Sequence, residues 1–209
     1  DRRPNRGRAL ILASVALLAA ALTGISASKV NAKGPGRADS STSDSTDATL
    51  LVDSFEELFK KLDFQKIHSF EALLKDPHAQ AFGNRVDTRY TEDSITRILI
   101  TSSDVKARRA AALASAFSAQ FDKSNAAVAK GLRDSDPTVR FFTSKALWAI
   151  WFRAGSPENN KAIEEVSRMI GEGDLDEAIA KVTLVIEKAP NFAEAYNQRA
   201  IAHFLKGQF

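Results

Sequence analysis

Gly173-Asp174-Leu175-Asp176-Glu177-Ala178-Ile179 is the stretch on which the reading of this chain turns. Pro190 follows it, then Ala195-Tyr196, and finally Gly207-Gln208-Phe209. Gly173 and Gly207 stand thirty-four residues apart, and each precedes a polar residue and then a large apolar one. A period of that length marks a chain of helix pairs, each burying its apolar face on its neighbour. The second unit stops at Phe209, before its second helix begins, so the chain is expected to be cut off at its C-terminal end.

Working upstream, Ser156-Pro157 opens the preceding helix as an N-cap followed by Pro, where the missing N–H costs nothing. From about residue 158 to 209 the chain resembles the tetratricopeptide (TPR) family. Gly173 to Ile179 match its G-D-Y-D-E-A-I core with Leu175 in the Tyr position, Ala178 small where two helices touch, and Pro190 ending the second helix. Ala193 to Phe209 match the next first helix, with Tyr196 in the Trp position, Ala200 small, His203 in the Tyr position and Gly207 at the turn. The earlier first helix departs from the pattern, because Glu165 and Val166 stand where Leu and Gly are expected. The β-branched run Val182 to Ile186 has strand propensity, but its place in the period puts it on a helix.

This resemblance implies a concave groove, lined by first helices, that accepts a peptide or a partner helix. Carried over to this sequence, the protein-binding groove comprises Glu194, Asn197, Gln198, Ile201 and Phe204, with Ser167 from the preceding first helix. Asn197 and Gln198 are expected to hydrogen-bond a ligand backbone while Ile201 adds apolar contact. Two readings of Ile201 and Phe204 stay open, since an unpaired repeat face is apolar whether or not it binds a ligand.

A second echo lies at residues 104–151. Val105-Lys106 and Ala112-Leu113 align with Val139-Arg140 and Ala146-Leu147, again thirty-four apart. Between them Ala126, Val128, Ala129 and Leu132 predict a short helix, and Asp136-Pro137 starts the next. Asp136-Pro137-Thr138-Val139-Arg140 with Ala146-Leu147 resembles a HEAT-type repeat over about residues 94–152, with Phe141-Phe142 in place of small residues. That implies an α-solenoid and no chemistry.

Toward the N-terminus, Ile95, Ile98 and Leu99 predict a helix, and Ala79 to Glu92, with Gly83-Asn84, a loop. Ile67, Phe70 and Leu74 predict a helix ending at Asp76-Pro77. Ser54 with Glu57 forms a capping box ahead of Phe55, Leu58, Phe59 and Leu62. Lys33 to Ala48 holds no large apolar residue and reads as a flexible tether. Arg2 to Arg8, the apolar run Ala9 to Leu22 and Val30-Asn31-Ala32 read as a cleavable export signal over residues 1–32, with Ser26-Ala27-Ser28 as a second cleavage option. An uncleaved membrane anchor is the alternative.

The net charge of +3 resides in that segment. Residues 1–32 carry five basic side chains and one acidic, leaving 24 against 25 elsewhere, so the body shows no polyanion-binding excess and no nucleic-acid partner is expected. With no Cys, disulfides play no part.

Chemistry has few candidates. His68, His78 and His203 lack metal-ligand spacing, and there is no G-x-S-x-G elbow, Walker A loop or G-x-G-x-x-G fingerprint. Asp174, Asp176 and Glu177 are expected to serve the helix start. Trp148 and Trp151 are expected in the core, and Arg108, Arg109, Arg133 and Arg140 as scattered solvated charge.

The expected fold is thus all-α, an α-solenoid with a HEAT-like region over 49–155 and a TPR region over 156–209. The expected protein is an exported, periplasmic or secreted, non-enzymatic scaffold that binds a protein or peptide without catalytic residue, metal or cofactor. The alternative is the docking arm of a larger exported enzyme, its catalytic domain beyond Phe209. A third reading, a membrane-anchored assembly factor, applies if residues 9–25 stay uncleaved.

Overall fold

The structure, a computed structural model, describes residues 41–67 and 69–208. The segment read as an export signal, and the tether up to residue 40, lie outside them. The described residues are helical throughout, without a strand. In chain order the helices are α1 (Ser41–Lys61), α2 (Phe70–Lys75), α3 (Pro77–Arg89), α4 (Glu92–Thr101), α5 (Val105–Ser118), α6 (Phe121–Ala129), α7 (Pro137–Phe152), α8 (Pro157–Glu172), α9 (Leu175–Lys188) and α10 (Ala193–Leu205). A 3-10 turn, Lys130–Arg133, links α6 to α7. No described helix is long and apolar enough to cross a membrane.

Three helices begin alike. Asp76, Asp104 and Asp136 cap α3, α5 and α7, their carboxylates accepting from first-turn N–H groups. Four residues on, Gln80, Arg108 and Arg140 each reach back to the carbonyl six residues earlier, on Leu74, Ser102 and Asp134. One residue before each of these, Ala79, Ala107 and Val139 are completely buried. The steps between these cap positions are twenty-eight and thirty-two residues, whereas the ends of α5 and α7, Ala119 and Arg153, and the buried pairs Ala112-Leu113 and Ala146-Leu147 keep the spacing of thirty-four. The identity that suggested thirty-four pairs half-buried Val105, at the first position of α5, with fully buried Val139, two positions deeper in α7.

α5 is the central helix, packed by α1, α3, α4 and α7. A helix enclosed on all sides needs small side chains all round. Ala107, Ala110, Ala111, Ala112, Ala114 and Ala116 supply them, with Leu113. α1 lies on α3 and α5, and its Phe55 and Phe59 meet Phe142 of α7 at ring-centroid distances of 6.1 and 6.3 Å.

Three expectations fail in this region. Ser41 to Ala48 belong to α1 rather than to a tether, and Tyr90 Oη donates to the Asp47 carbonyl at 3.0 Å. Ser54 is therefore interior to a helix and caps nothing. Asp76 ends α2, as expected, but with Pro77 it also starts α3, so Ala79 to Arg89 are helical, and Ala79, Phe82, Gly83 and Val86 form the buried face. Gly83 is not a turn residue. A Cβ there would stand 2.6 Å from the Phe117 ring, so the glycine admits close approach of α5.

Arg108 and Arg109 are not scattered surface charge. Arg108 makes a bidentate pair with Asp134 (2.7 and 3.2 Å), and Arg109 one with Asp136 (3.0 and 2.6 Å). All four side chains are at most 15% exposed. Arg140 joins them through the Asp134 and Ser135 carbonyls, while Arg133 is exposed. Burial raises the affinity of Asp134 and Asp136 for a proton, but the guanidinium and backbone N–H bonds outweigh it and hold both below the usual carboxylate value.

α8, α9 and α10 pack on one another around a second core, Ile163, Val166, Ala178, Val182, Val185, Ile186, Phe192 and Ala195, which Phe152 of α7 joins. Val182 to Ile186 are helical, as their place in the period requires. Gly173 (φ +93°) and Gly207 (φ +74°) both occupy the left-handed region. In each turn the N–H one residue later bonds a carbonyl five back, Asp174 to Met169 and Gln208 to His203. The glycine recurrence thus reflects two turns of one geometry. Asp174 sits at the N-cap of α9 without a side-chain cap bond, while Asp176 and Glu177 stand in the first turn as expected, Asp176 also pairing with Lys206.

Candidate functional site

The groove residues divide. Gln198 and Glu194 are each only 4% exposed, Ser167, Asn197 and Ile201 are half-buried, and Phe204 is 65% exposed. Glu194 lies in the first turn of α10, where the helix dipole favours a carboxylate. Its partners come from its own helix: Asn197 Nδ2 donates to both oxygens (3.2 and 3.3 Å) and Gln198 Nε2 donates to Oε1 (2.7 Å). Burial pushes the Glu194 carboxyl up, and the two amide bonds only partly offset it.

The amide donors expected to meet a ligand backbone are therefore engaged within the helix. The signal was present in the sequence, because Asn197 and Gln198 lie three and four residues after Glu194, the spacing at which helical side chains meet. Glu194, Asn197 and Gln198 come together as a closed polar cluster. Ile201 and Phe204 continue along α10, and the neighbouring Leu205 is 54% exposed. Ile201 is half-buried and Phe204 open, so the apolar part of the predicted groove is accessible on α10. Tyr196, 41% exposed, lies beneath the Arg199 guanidinium at 5.6 Å from its ring centroid.

Ala178 is fully buried between helices, whereas Ala200, expected to be a small contact residue, is exposed and Ala202 is buried instead. Glu165, the departure on α8, pairs with Lys181 of α9, and Val166 is fully buried. Both departures are accounted for by packing of α9. His203 Nδ1 lies 2.8 Å from Gln208 Oε1. Trp151 donates to Asn125 Oδ1 at 2.9 Å, but Trp148 is 38% exposed rather than in the core.

A feature missed by sequence reasoning lies where α3, α5 and α7 end and α4, α6 and α8 begin. A cavity of about 850 Å³, open to solvent, forms there between the turns, with Asp87, Asp93, Lys123 and Arg153 among its lining residues. Phe117 lines it too, and Glu92 tethers the start of α6 through Gln120 N–H (2.9 Å) and the Ser124 hydroxyl. The residues at the helix ends, Tyr90, Ala119 and Arg153, carry no shared motif, so nothing in the sequence pointed to these turns. Among the described residues, no cluster of three His, Cys, Asp or Glu is placed to hold a metal ion.

No protein family, curated protein or solved structure matches the chain.

Proposed function

We propose that this chain is an exported helical-repeat adaptor, HEAT-like over residues 49–155 and TPR-like over 156–209, that docks a protein segment against the α8–α10 surface without catalysis. The single observation carrying the reading is the recurrence of local geometry. An Asp cap, a side chain reaching back six residues and a fully buried small or β-branched residue occur three times, and the left-handed Gly turn occurs twice. Chains built this way present one helix after another as a continuous surface, which suits shape-complementary docking. The accessible apolar residues of α10, Ile201, Phe204 and Leu205, supply the anchor, and the Glu194 cluster holds the helix start rigid beside them. Export rests on the basic and apolar residues of 1–32.

The test is affinity purification of the full-length mature protein from its extracytoplasmic fraction. A near-stoichiometric partner is expected, lost when Ile201→Asp and Phe204→Asp are combined and the helical circular dichroism is unchanged. A partner indifferent to both substitutions, or none, contradicts the assignment.

A further inference from the structure

Two separate cores, one within α1–α7 and one within α8–α10, are joined by the turn Arg153 to Ser156. Among the described residues no hydrogen bond and no ion pair runs from α1–α7 to α8–α10. Phe152, the last residue of α7, is an apolar bridge packed against the second core.

The bonds of the turn divide between the two sides. Arg153 and Ala154 belong to α7, since their N–H groups donate to the Ile150 and Trp151 carbonyls at 3.1 and 3.2 Å. Arg153 Nη2 adds a bond to the Ala119 carbonyl at the end of α5 (3.2 Å). Gly155 belongs to α8, because the Asn160 carboxamide accepts from its N–H (2.8 Å) and donates to its carbonyl (3.1 Å). The Phe192 ring closes on the same residue, and a Cβ on Gly155 would stand 2.9 Å from both Asn160 Oδ1 and that ring. Peptide groups are planar, so the soft dihedrals between the last group held by α7 and the first held by α8 are φ and ψ of Ala154. Ala154 is exposed, so rotation there displaces no buried side chain.

The fold also leaves room for that rotation. The cavity of about 850 Å³ has Tyr90, Thr91 and Phe117 on one wall and Gly155, Pro157 and Asn160, at the start of α8, on the other. Phe152, two residues before Ala154, and Phe192, against Gly155, both lie close to the turning point, so rotation moves these contacts little. Hinges are a few element-terminal residues that absorb dihedral change, and bodies joined through a small contact move relative to one another.

We propose that α1–α7 and α8–α10 are two rigid bodies that pivot about Ala154, the start of α8 swinging into the cavity and the Asn160 clamp confining the motion to that residue. The inference does not depend on what docks against α10.

The chain has no Cys, so paired spin labels at exposed positions of the full chain report distances by pulsed dipolar EPR. Asp122→Cys with Lys161→Cys spans the pivot. Asp122→Cys with Lys60→Cys stays within the first body, and Lys161→Cys with Glu177→Cys within the second. The pair across the pivot is expected to give a distance distribution at least twice as wide as either pair within a body. Asn160→Ala, which releases Gly155 from α8, widens it by a further half or more and leaves the within-body pairs unchanged. Three results overturn the proposal. The first is a distribution across the pivot as narrow as those within the bodies. The second is an equally broad pair inside α8–α10, which would make the motion local unfolding. The third is indifference to Asn160→Ala in a chain that keeps its helical circular dichroism. If Asn160→Ala does not fold, the three label pairs in the otherwise unaltered chain decide alone.

Discussion

Helices α1–α7 and α8–α10 solve one problem, the burial of a carboxylate, in opposite ways. In the first region Asp134 and Asp136 are sunk beside Arg108 and Arg109, so the buried charge is met by a full opposite charge in bidentate geometry. In the second, Glu194 is met by two neutral amides of its own helix. The first arrangement ties neighbouring helix pairs together, since each Arg of α5 reaches the turn that starts α7. The second ties a helix only to itself. Neighbouring pairs in α1–α7 are thus coupled by charge as well as by apolar burial, while in α8–α10 the ion pairs Lys181–Glu165 and Lys206–Asp176 are the corresponding ties and lie nearer to solvent.

The largest effect should come from breaking the coupled side of this contrast. Arg109→Met strands Asp136 partly buried and is expected to cost about 3 kcal/mol. The urea midpoint seen by tryptophan fluorescence should fall sharply, because Trp148 and Trp151 both lie on α7. An unchanged midpoint would remove the pair from the account.

Acid should separate the regions further. Asp134 and Asp136 have lowered pKa values, so their stabilisation is complete above the unfolded carboxylate value, about 4, and is lost as pH falls through the folded values. Glu194 has a raised pKa, so its contribution runs the other way: complete below the unfolded value and lost as pH rises through the folded one. Residue-resolved hydrogen exchange between pH 6 and pH 3 should therefore show α5 and α7 losing protection on this account while the start of α10 gains. Uniform loss across both regions would contradict the assignment.

Glu194→Gln sharpens the same comparison at a single site. The substitution is expected to stabilise by about 1 kcal/mol at neutral pH, the gain shrinking toward pH 4, as read from melting temperatures. Destabilisation would mean that the carboxylate is better solvated than its burial implies. The smallest effect belongs to Thr143, whose hydroxyl is buried on α7 without a hydrogen-bond partner among the described residues. Thr143→Val removes that orphan and should raise stability by somewhat under about 1 kcal/mol in the same melting assay.

Sequence reading was strongest where one residue type has one physical use. Gly173 and Gly207 marked the turns of the period, which are left-handed, and Asp136-Pro137 and Ser156-Pro157 announced helix starts, because few other residues meet those backbone demands. It failed where a residue's meaning depends on what folds against it. Gly83 looked like a turn but accommodates Phe117, and Ser41 to Ala48 looked too polar to order but extend a helix whose following turns pack on α3 and α5. Identity between Val105-Lys106 and Val139-Arg140 outranked the less conspicuous agreement of caps and back-bonds, which sets the starts of α5 and α7 thirty-two residues apart while their ends stand thirty-four apart. The groove residues were named from motif position, and that position says nothing of the partners that Glu194 finds on its own helix.

The most direct test of the adaptor assignment is to measure the affinity of the partner recovered with the full-length mature protein for the unaltered chain and for Ile201→Asp combined with Phe204→Asp. The account predicts loss of binding by at least a hundredfold while helical content and melting temperature are retained. Unchanged affinity in the doubly substituted, folded chain would contradict it.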